Sequence, residues 1–536
     1  MSGDWSKGRA GSSNMTRRQL LQRFGMIGGS SLVMGAMGAL DLMAAPAGPR
    51  PVLQRGRADA RVIILGAGMS GLVTGLELAK LGYDYQILEA RQRVGGLNWS
   101  VKRGHEHTEL GPSGERQVCQ FDEGQYFNAG PWRIPHTHHG LLGYARELGV
   151  RMEQFNDANE VLFTNDAQYG VLANRKVRLR ELESDLRGNV GELLAKAVNQ
   201  GALDQQISTE DKQRLIQFLV GAGYLSSPDE LYALNPDARG SADKYDLTTL
   251  LRSPLASQVR SLIAGTGGTD PVFQPTGGMM ELPEAMARAQ SDKIRFGSEV
   301  QSVTQNDTGI AVRYRDAQTG AVTEVTGDYC VSCLPMSILK KLQVNLSPAM
   351  QAAVNDTDHA VQAKIGLQMR RRFWEEDDNI YGGHLVYVGA ETGAAPAGGG
   401  GNPIPQFSYP SNDYGSKKGV LLGFYGSARL PGLDGRPLAG APVAARIEHV
   451  LHHASPVHPQ IRAEYENAYA VWWERVQYSE GAWASNPGDR LAQLSKADGR
   501  IYIGSGAASP DPAWMEGAVE SAWRTVEAIH KRAQVV

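Results

Sequence analysis

Cysteine is scarce: Cys119, Cys330 and Cys333 are the only three in 536 residues, too few for a disulfide framework in a chain this long. Cys330 and Cys333 have CxxC spacing. No second Cys/His pair lies near them, however, and the run from 327 to 335 reads as a buried strand entering a turn, so core packing is expected. His136, His138 and His139 find no further ligands either, and no metal is expected. An excess of charge is also missing. With 21% charged residues and a formal net charge of -3, neither nucleic acid nor an anionic membrane is the expected partner. Short basic runs such as Arg370-Arg371-Arg372 read as solvated faces. There is no internal repeat and no stable membrane span, because the apolar stretch from Phe24 to about Leu42 is broken by Gly25, Gly28, Gly29, Gly35 and Gly38.

That stretch still carries information. Preceded by Thr16-Arg17-Arg18-Gln19-Leu20-Leu21-Gln22, it resembles a twin-arginine export signal. Residues 1–45 are therefore expected to be a signal peptide cleaved near Ala45 to Ala47, delivering the protein to the periplasm or outside the cell. A disordered leader or a weak anchor is the competing reading. The length and the 42% apolar content suit a soluble protein of two or three lobes.

The first folded segment opens with an apolar run at 61–65, followed by Gly66-Ala-Gly68-Met69-Ser70-Gly71 and an apolar helix face at Leu72, Leu76 and Leu78. A second strand, Tyr85 to Glu89, ends in an acidic residue 18 positions after Gly71. Glycines that let a backbone approach a pyrophosphate, a helix N-terminus beyond them and a carboxylate for ribose hydroxyls make a dinucleotide site. Helical patterns fill 172–265, with runs at Val190–Val198 and Lys212–Val220. Short strands follow, at Gly309–Tyr314 and Glu324–Val331, and a second sheet is expected from Ile365–Met369, His384–Val388 and Val420–Tyr425. A Gly/Ala/Pro-rich loop, Gly393 to Pro405, interrupts that sheet.

Beyond Glu89 the sequence continues Ala90-Arg91 and then Arg93-Val-Gly95-Gly96, which resembles the extended signature of the flavin amine oxidase family. Pro275-Thr-Gly-Gly-Met279, Glu299-Val300, Gly499 to Gly506 and Ala513-Trp514-Met515 to Ser521 extend the resemblance over residues 60 to 530. It implies an α/β fold: a Rossmann-type FAD-binding domain (58–115, 266–341 and 471–536), a mixed-sheet substrate-binding domain (116–171 and 342–470) and a helical domain (172–265). It further implies non-covalent FAD, since no cysteine lies near the C-terminal motif, with Val300 beside the adenine and Ser505, Gly506, Ala513, Trp514 and Met515 beside the flavin. Two departures stand out. Leu97-Asn98 replaces the usual Gly-Arg continuation, and Ser505-Gly506 replaces the usual Gly-Glu, removing a carboxylate expected near the ribityl chain.

Within that family, Gly130-Pro131-Trp132-Arg133-Ile134-Pro135 resembles the motif of L-amino acid oxidases in which the arginine grips the substrate carboxylate, a task suited to a planar guanidinium fork. Phe407-Ser-Tyr409-Pro-Ser411 places Tyr409 where the same group is expected to bind a second donor. Lys364 resembles the family lysine that holds a water against the flavin, Trp514 a pocket wall, and the Ala513 carbonyl an acceptor for the amine. Trp473 and Trp483 read equally as walls or core aromatics. The resemblance implies oxidative deamination of L-amino acids by FAD and O2, giving 2-oxo acids, ammonia and hydrogen peroxide, with a homodimer left open. An amine oxidase or dehydrogenase, an amino acid 2-monooxygenase and a non-catalytic flavoprotein are the alternatives.

Overall fold

The computed structural model describes residues 50–56, 59–111, 114–157, 160–200, 208–229, 231–232, 245–252, 271–387, 403–485 and 488–535. The segment expected to be an export signal and most of the Gly/Ala/Pro-rich loop lie outside them. Five strands form a parallel sheet in the order Ile294–Arg295, Asp84–Leu88, Arg61–Leu65, Tyr329–Ser332, Ile501–Ile503. Its central strand is apolar on both sides. Val62 and Ile64 pack against the helices Met69–Leu81 and Met515–Val535, whereas Ile63 and Leu65 pack against the antiparallel strands Ser298–Gln305 and Ile310–Asp316. A parallel sheet covered on both faces accounts for the unbroken hydrophobic run at 62–65.

The expected strand Glu324–Val331 is in fact two strands. Val322–Gly327 pairs antiparallel with Ile310–Asp316 at the edge of a four-stranded sheet, and Tyr329–Ser332 joins the parallel one. The break falls at Asp328, whose carboxylate accepts the N–H of Arg61 at 2.7 Å and so ties the turn to the first strand. Cys330 lies in the second of these strands and is fully buried, a packing role that fits its apolar neighbours Ile63 and Ile501.

A seven-stranded mixed sheet lies beyond, ordered Val177–Arg178, Glu160–Phe163, His384–Tyr387, Phe407–Ser408, Gly419–Ser427, Gln362–Met369, Tyr465–Trp472. Its two faces differ. Ala363, Ile365, Leu367 and Met369 join Phe407, Leu421, Phe424 and Trp472 under the helix Val443–Ala454. Val420, Leu422, Tyr469 and Val471 turn the other way, onto Trp99, Phe127 and Ala129. That second contact is the seam between the two sheets. Of the helices Leu179–Asn199, Thr209–Gly221 and Leu247–Arg252, the first and third pack on the sheet edge through Leu179, Leu182 and Leu250 against Leu162 and Val177, and a second small cluster joins Ala195 to Leu219.

Near the seam, Arg446 makes a bidentate pair with Glu109, Nη1 to Oε1 at 2.5 Å and Nη2 to Oε2 at 2.9 Å, both side chains being fully buried. Arg475 adds a third contact to the same carboxylate at 3.1 Å. Breaking a buried pair strands a charge, so Arg446→Met is expected to cost about 3–5 kcal/mol in chemical denaturation. The double variant Arg446→Met/Glu109→Leu is expected to recover part of that loss.

Candidate functional site

The first part of the site is a crevice at the carboxyl ends of the parallel strands, where open α/β sheets bind ligands. Gly66 turns the chain out of the first strand at φ 95°, and a Cβ on Gly71 would lie 1.9 Å from the Gly66 carbonyl oxygen, so only glycine lets the helix start this close. Gly68 caps the helix Met69–Leu81 without a side-chain hydrogen bond, leaving N–H groups of its first turn directed at the crevice. Gly68 also bridges Gly95, and the N–H of Gly95 reaches the Ala67 carbonyl at 2.9 Å, which brings the 93–96 segment against the loop. The buried Glu89 carboxylate accepts the N–H groups of Ala67 at 2.8 Å and of Arg91 at 2.9 Å, with Ala90 between.

Arg93 lies over Trp99, 4.7 Å from the ring centroid, and donates to the carbonyls of Val94 and Gly96. Burial, reinforced by Arg91, pulls its pKa down to about 9. Its hydrogen-bond acceptors are neutral, so an anion here would restore the charge the cation has lost in leaving water. Arg91 is committed elsewhere, to the Ser479 hydroxyl at 2.7 Å and the Gln477 carbonyl. Around the same strand ends, Asn98 Nδ2, Ser298 Oγ, Ser332 Oγ and Ser505 Oγ are buried without partners. Polar atoms left unpaired along a crevice are what a large polar ligand would satisfy. Val300 turns inward against the sheet while Glu299 pairs outward with Arg315. Gly506 follows the unpaired serine and opens a short turn before Ala508.

The second part sits on the seam. Along Gln362–Met369, alternate residues face opposite sides, so the apolar set Ala363, Ile365, Leu367 and Met369 forces Lys364 toward the parallel-sheet domain. Gly366, on the same side, makes room for Phe127: a Cβ there would come within 2.5 Å of that ring. Lys364 Nζ donates to the carbonyls of Gly130 and Asn128, the latter at 3.3 Å, and lies 5.1 Å from the Trp132 centroid and 4.6 Å from that of Tyr425. Burial, together with Arg133, lowers its pKa well below the ordinary value, favouring a neutral amine. Burial also raises the Tyr425 phenol to about 12, so it stays protonated.

Gly130 is required by crowding, since a Cβ would lie 1.7 Å from the Leu97 carbonyl. Past Pro131, Trp132 and Arg133 swing out, and the guanidinium carbon lies over two indoles, 5.5 Å from Trp132 and 5.7 Å from Trp514. Arg133 Nη1 donates to Asp157 Oδ1 at 2.5 Å, and the same oxygen is 2.6 Å from His384 Nε2. Trp514 in turn meets His138 edge-on at 5.0 Å, and burial holds that histidine near 4 and therefore neutral. Ala513, exposed, and Trp514 directly precede the helix Met515–Val535. A cavity bounded by Tyr126, Asn128, Trp132, Phe155, Gln274 and Ser408 borders this arrangement. Its aromatic walls and few polar groups suit a small organic molecule.

A sequence model of flavin-containing amine oxidoreductases matches residues 69–530. The chain belongs to the flavin-containing amine oxidoreductase family. Among its relatives are the flavin-dependent L-tryptophan oxidase of Lentzea aerocolonigenes, 27% identical over 88% of this chain and 98% of that protein, and the L-amino-acid oxidase of Demansia vestigiata, 23% identical over 88% and 87%. Putrescine oxidase with bound putrescine shares the fold, with a TM-score of 0.56 at 17% identity over 88% of this chain and 99% of that one.

As a flavin amine oxidoreductase, the protein has a crevice whose glycines, buried arginine and unpaired polar atoms fit a flavin dinucleotide. The structure gathers Arg133, Lys364, Trp132 and Trp514 in one wall. Tyr409 also lines the cavity, but with Phe407 its side chain joins the cluster on the helix-covered side of the mixed sheet, its phenol 2.8 Å from His458 Nε2. Ser408, one residue earlier, faces the Arg133 side through His384. Trp473 is buried and donates to the Ala129 carbonyl at 2.8 Å, bracing the strand that holds Lys364, while Trp483 stands 6.5 Å from Tyr425. Asp157, His384 and Tyr425 escape the sequence reading. A histidine inside the apolar run His384–Tyr387 was the available sign for the second, whereas Asp157 has no local signature.

The unfolded chain holds the Lys364 proton with the ordinary pKa of 10.5, and the folded chain lets it go well below that. The unfolded state therefore binds more protons in this window, and stability rises with pH until 10.5 is passed. Lys364→Met is expected to flatten that rise by up to ~1.4 kcal/mol per pH unit, read from urea denaturation of both proteins at a series of pH values. Parallel curves would mean that the buried amine keeps its proton.

Proposed function

We propose that this flavin oxidoreductase is an FAD-dependent L-amino acid oxidase, yielding a 2-oxo acid, ammonia and hydrogen peroxide, and that it acts in the periplasm or outside the cell after twin-arginine export. The observation that carries the substrate class is Arg133, a partly buried guanidinium set over two indoles in the same wall as Lys364. Relatives named as L-tryptophan and L-amino-acid oxidases support the reading. FAD, held without a covalent link, would be cradled by Gly66 to Gly71, Glu89, Arg93 and the 505–515 segment, and supplies the two-electron acceptor. The chain's own part is to orient and to exclude water. Arg133 takes the carboxylate, the protonated Tyr425 phenol offers a neutral donor close by, and the indoles of Trp132 and Trp514 wall off solvent. Lys364, its proton loosened by burial and its amine tied to two backbone carbonyls, keeps a donor poised at the seam. Tyr409 borders the same cavity, with its phenol engaged by His458.

The Asp157 carboxylate beside Arg133 favours one alternative, a substrate amine with no carboxylate. A peroxide-coupled screen of L-amino acids, D-amino acids and their decarboxylated amines separates the two. The expected outcome is turnover of L-amino acids, and a loss in Arg133→Met of at least about 100-fold in kcat/KM, roughly the 3 kcal/mol of a charge-assisted bidentate pair. Retained anaerobic bleaching by amines, with none by L-amino acids, would transfer the enzyme to the amine class.

A further inference from the structure

Four side chains form a hydrogen-bonded file that the proposed reaction does not use in full. Ser408 Oγ lies 2.8 Å from His384 Nδ1, His384 Nε2 lies 2.6 Å from Asp157 Oδ1, and Asp157 Oδ1 accepts from Arg133 Nη1 at 2.5 Å. The serine and histidine sit on neighbouring strands, paired at His384 and Ser408. The far end of the file is therefore anchored in the sheet. Toward the near end is a carboxylate, Asp157, that follows the strand Met152–Phe155. Against burial, which would raise it, Arg133 and His384 hold the Asp157 carboxyl well below its usual range, so it is ionised.

How Arg133 is held matters more than that it is held. A guanidinium carries five N–H donors, and Asp157 takes one end only. A purely structural pair of this kind would be expected to close into a bidentate, buried fork, as Arg446 and Glu109 do. Here both side chains remain partly exposed, at 21% and 24%. Resting on the amino acid reading above, we infer that Asp157, positioned by His384, is a specificity-determining residue that fixes one end of Arg133 and presents the remaining edge to a substrate carboxylate. An arginine fixed before binding loses less side-chain freedom on binding, so the gain falls on affinity. The rate at saturation is set elsewhere.

The test uses the flavin-loaded enzyme and two readouts: steady-state kinetics with the best L-amino acid, and perturbation of the flavin spectrum by benzoate, a carboxylate without an amine. Asp157→Ala is expected to raise KM and the benzoate Kd about 10-fold, with kcat within about 3-fold, the pattern of lost uniform binding. Asp157→Glu is expected to restore part of the loss, and His384→Gln to give a smaller one. Flavin content and melting temperature report whether each variant folds. Unchanged or tighter benzoate binding in Asp157→Ala would overturn the inference, because Asp157 would then be idle or a competitor for the arginine. If Arg133→Met also leaves benzoate binding unchanged, the carboxylate reading of Arg133 itself fails. Loss in Arg133→Met with no change in Asp157→Ala sinks only the role of Asp157.

Discussion

A lysine placed among Ala363, Ile365, Leu367 and Met369, all buried, has one direction open to it. Strand alternation sends the apolar set under the helix Val443–Ala454 and leaves Lys364 to cross the seam toward the parallel-sheet domain. Burying a cation there is costly: it weakens the hold on the proton, and the amine donates to the carbonyls of Asn128 and Gly130. Those carbonyls stand where they do because Gly130 passes close to Leu97 and Trp473 clamps Ala129. Arg133 follows three residues later, so the position of one buried amine and that of the partly buried fork beyond it are set by the same short stretch.

Much of this architecture could be read in advance because it is repeated locally in the chain. The glycine turn, the acidic strand end and the apolar run at 62–65 each encode one piece of a covered parallel sheet, and their order leaves little else to build. Boundaries were less legible. The run 324–331 is uniformly strand-like, and only the tertiary bond from Asp328 to Arg61 divides it between two sheets. Side-chain direction was least legible. Tyr409 follows a strand of two residues, too short for its face to be judged from pattern, and its phenol meets a histidine 49 positions away. Asp157 joins Arg133 across 24 positions, and nothing in its neighbours signals the contact.

The cofactor side and the substrate side carry different kinds of information. Membership in the flavin-containing amine oxidoreductases rests on the sequence model matched over residues 69–530, and the crevice suits it, with its close backbone, buried Glu89 carboxylate and polar groups left without partners. The departures at Leu97-Asn98 and Ser505-Gly506 fall in this region, and two of those residues, Asn98 and Ser505, are among the buried groups lacking a partner. Substrate class depends instead on a handful of side chains at the seam. A shared fold with putrescine oxidase at 17% identity is compatible with a quite different set there.

Residues 408 and 409 point to opposite faces of the same sheet, and each ends in an imidazole backed by an aspartate: Ser408 on His384 and Asp157, Tyr409 on His458 and Asp378. One peptide unit thus works like the pivot of a balance. On the second side, Lys176 pairs with Asp378 from the segment leading into the helix Leu179–Asn199. A substitution that alters the backbone at 408–409 would therefore reach both files at once.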